Sequence, residues 1–230
     1  MDALTALVTG AGRGIGRATA ELLARQGYAV VVAARTSREL DLVCSGIAAE
    51  GGRALAVVMD VTDLRSVEEG VHAALEWTGG KLDVLVNNAG VFDMAPFPEL
   101  SPATWYRFLA VNLNGPFHVT LMAWKGLERA AAPHVVNIAS VAAKQGFPGN
   151  VAYCTTKYGL RGFGDALRHD LAAIDGRLTT VYPGQTDTTI WDTIPGEWDR
   201  PSMSRPEDVA QVIHQALTAP PEADVDDLDV

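Results

Sequence analysis

The sequence predicts an α/β fold: a doubly wound parallel sheet of about seven strands with helices on both faces. Three observations lead there. Short β-branched runs alternate with longer helical patterns along most of the chain. The strand runs, AVVVAA at 29–34 and ALAVVM at 54–59 among them, are continuously apolar rather than alternating. The first of them runs straight into a glycine-rich turn. Strands buried on both faces read as unbroken apolar segments, and strand–helix alternation means βαβ units. At 230 residues and 48% hydrophobic the chain can bury one large core. No linker, repeat or low-complexity segment divides it, so 1–230 is read as a single domain.

The elements follow in order. A strand at 4–9 meets the turn TGAGRGIG, and a helix over 14–26 begins inside that turn. A strand over Ala29–Ala34, a helix over 37–50, a strand over 54–59, a helix over 63–78 and a strand over Val84–Asn87 complete the first half; Thr62 or Asp63 is the natural cap of the 63–78 helix. The second half repeats the scheme with a long helix at 102–129, which Gly115-Pro116 would kink, a strand at 135–138, a helix at 152–174, a strand at 178–182 and a last helix at 206–218. A weak seventh strand is expected near 225–230. Pro195, Gly196 and Pro201 break any helix through 185–205, so that stretch is read as a lid or binding loop. Its apolar residues Ile190, Trp191, Ile194 and Trp198 either cover a hydrophobic substrate or pack back on the core.

Composition excludes several functions. A net charge of −10 and a pI near 4.9, without a basic stripe, argue against a nucleic-acid partner. Half of that charge sits in an acidic tail at 220–230, where Glu222, Asp224, Asp226, Asp227 and Asp229 have no Lys or Arg among them. A solvated, partly frayed end is the simplest reading of it. Cys44 and Cys154 have no CxxC partner, which fits a reducing cytoplasm. The first apolar run starts so near Met1 that no room for a signal peptide is expected, and no apolar stretch approaches the roughly 18 residues of a membrane span. The five histidines lack ligand spacing, so no catalytic metal is expected.

Tyr153 and Lys157 carry the chemistry. Residues i and i+4 share a helix face, so the ammonium of Lys157 is expected beside the phenol of Tyr153. An ordinary phenol ionises near 10, and acid–base work at neutrality needs that lowered by roughly 2–3. Ser140, thirteen positions earlier, could hold the oxygen of a carbonyl or alcohol while Tyr153 gives or takes its proton. A Tyr/Lys pair is also common on helix surfaces, and a serine after a strand is often a turn residue. The rest of the chain decides between these readings.

At the turn 9–16, Gly10, Gly14 and Gly16 admit close backbone approach, and the helix N-terminus favours an anion. Position 15 is Ile where G-x-G-x-x-G would place its third glycine, so the pattern is T-G-x-x-x-G-x-G. The second strand ends in Ala34-Arg35 where an acid would accept from a ribose 2′-OH. Arg35 offers a donor fork for a 2′-phosphate instead, and Arg13 could reach the same place. NADP(H) is therefore expected over NAD(H), which stays possible. Asp60, closing the third strand, is placed to meet an adenine edge.

With TGAGRGIG at 9–16, Asp60, NNAG at 87–90, Asn112 with Ser140/Tyr153/Lys157, and PGQTDT at 183–188 in order, the chain resembles the short-chain dehydrogenase/reductase family over nearly its whole length, and its 3-oxoacyl-carrier-protein reductase-like members in particular. The resemblance implies a Rossmann-type sheet ordered 3-2-1-4-5-6-7. It implies that Tyr153 is the acid/base, that Ser140 orients the substrate oxygen, and that Lys157 lowers the tyrosine pKa and binds the nicotinamide ribose. Asn112 would hold a water leading to Lys157, and Pro116, which has no N–H for the Asn112 carbonyl, gives that role a footing in this sequence. Ile15, Val61, Asn88, Ala89 and Gly90 would touch the cofactor, with Pro183, Gly184, Thr186 and Thr188 at its nicotinamide and pyrophosphate. Position 186 is Thr where relatives carry an aliphatic residue.

The expected activity is ketone reduction on a small-molecule carbonyl/alcohol substrate, by a homodimer or homotetramer built on the helices at 102–129 and 152–174. Lys144 and Arg200 are candidate contacts to an acidic carrier protein, which the acidic body of the chain speaks against. Three alternatives stay open: a dinucleotide-binding regulator without chemistry, an NAD-dependent alcohol dehydrogenase, and an interaction protein using its acidic tail.

Overall fold

The computed structural model describes residues 3–220 and 222–230; the tail position 221 and the first two residues lie outside the described residues. Seven parallel strands form one sheet in the order β3-β2-β1-β4-β5-β6-β7: β1 (Thr5–Thr9), β2 (Ala29–Ala34), β3 (Arg53–Val58), β4 (Val84–Asn87), β5 (His134–Ile138), β6 (Arg177–Tyr182) and β7 (Asp227–Asp229). The unbroken apolar runs are what a sheet covered on both faces requires. Val30, Val32, Val86 and Val136 look toward one face, and Leu7, Val31, Leu85 and Val135 toward the other.

Helices α1 (Gly14–Arg25), α2 (Ser37–Ala49) and α7 (Pro206–Thr218) close the first face with Leu23, Leu40, Val43, Ile47 and Ile213. Helices α3 (Leu64–Trp77), α5 (Gly115–Leu127) and α6 (Val151–Ala172) close the second with Val67, Val71, Val119, Leu127 and Leu171. Asp63 caps α3, its carboxylate accepting from the N–H of Arg65 at 3.0 Å. Among the described residues no helix is long and apolar enough to cross a membrane.

Two expectations are corrected. The helix expected at 102–129 is divided into α4 (Pro102–Leu109), a π-helical stretch over Ala110–Asn114, and α5. The Gly115 N–H donates to Ala110 O, five residues back, and Pro116 has no N–H to give, so two irregularities share one turn. A π turn of this kind inside a helix commonly marks a functional site.

The acidic tail is docked rather than frayed. Within it, β7 pairs with β6 through Thr180↔Asp227, Val181↔Leu228 and Tyr182↔Asp229. Arg168 donates to Asp226 O at 2.5 Å and to the Asp227 carboxylate at 3.2 Å, the Tyr182 hydroxyl meets Asp227 at 2.5 Å, and Lys144 pairs with Asp229 at 2.6 Å. Sequence alone could not show these partners, because each cation lies 45 or more residues away in the chain.

The topology places the site. Strand order reverses between β1 and β4, and in such sheets ligands bind beyond the carboxyl ends of the strands at that switch. Thr9 ties the two strand ends together: its hydroxyl accepts from the N–H groups of Asn88 and Ala89 at 3.0 and 3.1 Å and donates to Val86 O at 3.3 Å.

Candidate active site

A cavity of about 630 Å³ runs across this edge, lined from Gly10 and Arg35 at one end to Tyr153 and Trp191 at the other. Of the residues singled out in the sequence, Gly10, Arg13, Gly14, Ile15, Arg35, Asp60, Val61, Asn88, Ala89, Gly90, Pro183, Gly184, Thr186 and Thr188 lie in its wall, as do Ser140, Tyr153 and Lys157. Gly16 and Asn112 stand behind the wall.

The glycine turn is shaped for backbone approach. Gly10 has φ +64°, where side chains are rarely tolerated, and a Cβ there would stand 2.9 Å from Ala89 Cα. A Cβ on Gly16 would collide with the carbonyl oxygen of Gly10. Helix α1 begins with no side-chain cap and no acid in its first turn. Its N-terminal N–H groups and dipole are thus available to an anion, and these residues fit the phosphates of a dinucleotide.

Arg13 and Arg35 are exposed in the same wall, and among the described residues neither is in an ion pair with a carboxylate. Asp60 forms a local turn, accepting from the N–H and hydroxyl of Thr62 at 2.9 and 2.8 Å. Burial works against its charge, but those two bonds and the nearby Arg35 outweigh it and hold the carboxyl below its usual range. Sequence reasoning missed Glu39, whose carboxylate stands in this wall against Gly12; its place on the first turn of α2 was the signal.

At the other end, Ser140 follows β5, and its hydroxyl accepts from the N–H of Ala142 at 3.1 Å. It is a turn residue and a wall residue at once. Lys157 is buried and donates to Ile138 O at 2.8 Å, its Nζ lying 5.6 Å from the centroid of the Tyr153 ring.

The surroundings of Tyr153 act against the expected acidification. Packing in the cleft wall pushes the phenol up to about 12, although part of its surface still meets the cavity, and the Ser140 hydroxyl pulls it back only part-way. Burial also brings Lys157 down to about 8.

Asn112 is buried, and its side chain pins the loop after β4. Its Oδ1 accepts from Val91 N at 2.8 Å, and its Nδ2 donates to Val91 O at 2.9 Å and to Thr156 Oγ1 at 3.3 Å. The next residue, Phe92, stands edge-on to Tyr153 at 4.8 Å between centroids. The sequence carried no signal for Val91 or Phe92, which follow NNAG without a pattern of their own.

The segment at 185–205, expected to be a lid, is organised by Arg200. It donates to Asp187 at 2.5 Å, Asp192 at 3.1 Å and Thr188 O at 3.0 Å. Of the apolar residues in this segment, Ile194 is buried, while Ile190, Trp191 and Trp198 line the cavity. Arg200 and Lys144, considered as carrier-protein contacts, are each already paired with acids of this chain.

Comparison with known proteins agrees with this geometry. The family model described as short chain dehydrogenase matches residues 4–197. The chain belongs to the short-chain dehydrogenase/reductase family. The sheet order expected for that family is the one observed.

Among the similar proteins is the monensin polyketide synthase putative ketoacyl reductase of Streptomyces virginiae, 37% identical over 80% of this chain and 71% of that protein. An alcohol dehydrogenase from the archaeon Thermococcus sibiricus, solved with 5-hydroxy-NADP, superposes with a TM-score of 0.91 at 28% identity, covering 100% of this chain and 96% of that one. The 3-ketoacyl-(acyl-carrier-protein) reductase of Brucella melitensis, solved with NADH, gives 0.90 at 27% identity over 99% and 96%. This dehydrogenase/reductase is thus an oxidoreductase, similar to ketoreductases, in a family whose structures hold nicotinamide dinucleotides.

Proposed function

We propose that this short-chain dehydrogenase/reductase interconverts a small-molecule carbonyl and a secondary alcohol, with Tyr153 as the acid/base and NADP(H) preferred over NAD(H). The observation that carries the reading is the meeting of Ser140, Tyr153 and Lys157 in one wall of the cleft that the uncapped glycine turn opens into. The dinucleotide, when bound, supplies or accepts the hydride. Gly10, Gly14 and α1 would hold its phosphates, Arg13 and Arg35 its 2′-phosphate, Asp60 and Val61 its adenine, and Pro183, Gly184, Thr186 and Thr188 its nicotinamide half.

The chain's own residues manage the proton. Ser140 donates to the substrate oxygen and orients it. Tyr153, whose phenol burial pushes up to about 12, is poised to give its proton to an oxygen that gains negative charge during reduction. Lys157 then stabilises the tyrosinate and restores the proton. Asn112 acts by fixing Val91 and hence Phe92 against Tyr153.

Residues 1–230 act as one domain, with 185–205 as the lid. The enzyme is a homodimer or homotetramer, a reading supported by Phe117 and Leu121 on α5 and Tyr158 on α6, all exposed.

A specific observation favours a second reading of the cofactor. The Glu39 carboxylate in the adenosine end of the cleft could accept from a free ribose 2′-OH and so select NAD(H). One experiment separates the two. NADPH and NADH affinities are measured by nicotinamide fluorescence in the parent, Arg35→Ala and Glu39→Gln, together with deuterium transfer from 4-deuterated cofactor to the carbinol carbon. Tighter NADPH binding that Arg35→Ala weakens roughly tenfold or more supports the 2′-phosphate clamp. Preference for NADH that Arg35→Ala leaves unaltered refutes it, and absence of label on the carbinol refutes the reaction.

A further inference from the structure

The substrate end of the cleft is aromatic, and its indole N–H groups are already engaged. Phe92 stands edge-on to Tyr153, Trp191 of the lid stands edge-on to Phe92 with centroids 5.4 Å apart, and Trp198 follows at 4.7 Å from Trp191. Phe92 is the link from Tyr153 to the two indoles, and the three rings come from two different segments, the loop after β4 and 185–205, so their meeting is a property of the folded cleft. Phe147 and Pro148 complete the apolar lining. The Trp191 Nε1 donates to Thr186 O at 2.9 Å and the Trp198 Nε1 to Ile194 O at 3.1 Å. Both indoles therefore offer a substrate ring surface and no free donor.

Charge is arranged the opposite way. Among the described residues, the charged side chains lining the cavity are Arg13, Arg35, Glu39 and Asp60, which gather around the glycine turn and the ends of β2 and β3, and Lys157, which is bound to Ile138 O. The cations on the loops bordering the substrate end, Lys144 and Arg200, are paired with Asp229 and with Asp187 and Asp192. A substrate carboxylate or phosphate entering here would lose its water and gain no counter-charge. A planar arene would lose little hydration and gain edge and face contacts with Phe92 and Trp191.

We propose that Phe92 and Trp191 are specificity-determining residues that select an uncharged ketone borne on a planar aromatic system, and that this cleft discriminates against ketones carrying a carboxylate or phosphate. The inference rests on the carbonyl-reductase reading above. It follows that the reaction supplying this substrate yields a neutral aryl or fused-ring ketone rather than a keto acid or a phosphate-bearing thioester.

The test compares four ketones with NADPH and, in parallel, NADH: 2-acetylnaphthalene, its saturated decalin counterpart, 6-acetyl-2-naphthoate and acetoacetyl-coenzyme A. The parent enzyme is expected to show kcat/KM for 2-acetylnaphthalene roughly tenfold or more above each of the other three. In Phe92→Leu and Trp191→Leu the ratio of the naphthalene to the decalin value is expected to fall roughly five- to tenfold. Equal or better turnover of the naphthoate or the thioester overturns the inference while carbonyl reduction stands. An unchanged naphthalene-to-decalin ratio in both folded variants also overturns it. No reduction of any of the four, in enzyme that binds the dinucleotide, overturns both the inference and the reading beneath it. The comparison of ketones in the parent enzyme decides the matter even if a variant fails to fold.

Discussion

In the proposed mechanism, Lys157 is the residue whose state governs the site. Its pKa, brought down to about 8 by burial, and that of Tyr153, pushed up to about 12, leave one titration near working pH, and it belongs to the lysine. The reduction rate should therefore hold steady below about 7.5 and fall as pH rises through about 8, where the cation that stabilises the tyrosinate is lost. In Lys157→Arg, a group that stays charged, that alkaline limb should move upward or vanish even though the rate is lower throughout; a limb fixed at 8 in the variant would assign it elsewhere. That Tyr153 and Lys157 share one wall of the cleft was legible, because residues at i and i+4 need only a helix to lie on one face. The packing around Tyr153 was not, since Phe92 reaches the tyrosine from a loop without a sequence signature. Asn112 was legible as a site residue, but its grip on Val91 was hidden because it depends on the π-helical turn.

Elements carry the next set of consequences. The parallel strands were legible as unbroken apolar runs, whereas β7 was barely so, because acids hold it: its anchorage is electrostatic and comes from Arg168, Lys144 and Tyr182. Burial opposes the charge of Asp227, yet the Tyr182 hydroxyl and Arg168 outweigh it and keep the carboxyl below its ordinary range. Arg168→Ala removes bonds to Leu178 O, Asp226 O and the Asp227 carboxylate together, and chemical denaturation should show a loss of about 1.5–3 kcal/mol. A loss under 0.5 kcal/mol would mean that β7 is held by its backbone pairing alone.

Strand β5 carries a second titration. His134 is buried with its Nε2 2.8 Å from Thr179 Oγ1, and burial, with Arg177 adding to it, brings its pKa down to about 3. A histidine that is neutral when folded and protonated near 6.5 when unfolded contributes stability that is present above 6.5 and is lost as pH falls toward 3. Urea midpoints between pH 7 and 4 should fall in the parent and fall less steeply in His134→Gln.

For the whole molecule, the same helices that carry the site also present an apolar exterior. Phe117 is 47% exposed, Leu121 51% and Tyr158 45%, while Lys157, next to Tyr158 on α6, is buried. Assembly through this face would couple oligomer state to the cleft. Light scattering should find a dimer or tetramer for the parent and a smaller species for Leu121→Asp, with a loss of activity that tracks dissociation; a monomeric parent would contradict the assembly. The net charge of −10 is consistent with a neutral small-molecule substrate, since the chain's positive side chains at the cleft are either beside the glycine turn or already paired.

All of this turns on whether Tyr153 exchanges a proton with the substrate oxygen. The direct measurement is steady-state reduction of a ketone that the parent enzyme turns over, in Tyr153→Phe against the parent, with dinucleotide affinity measured on the same preparations to show that the cleft is intact. The variant should lose roughly 10²–10⁴-fold in kcat while still binding the dinucleotide. A folded, cofactor-binding Tyr153→Phe enzyme that keeps more than about a tenth of the parent kcat would contradict the mechanism.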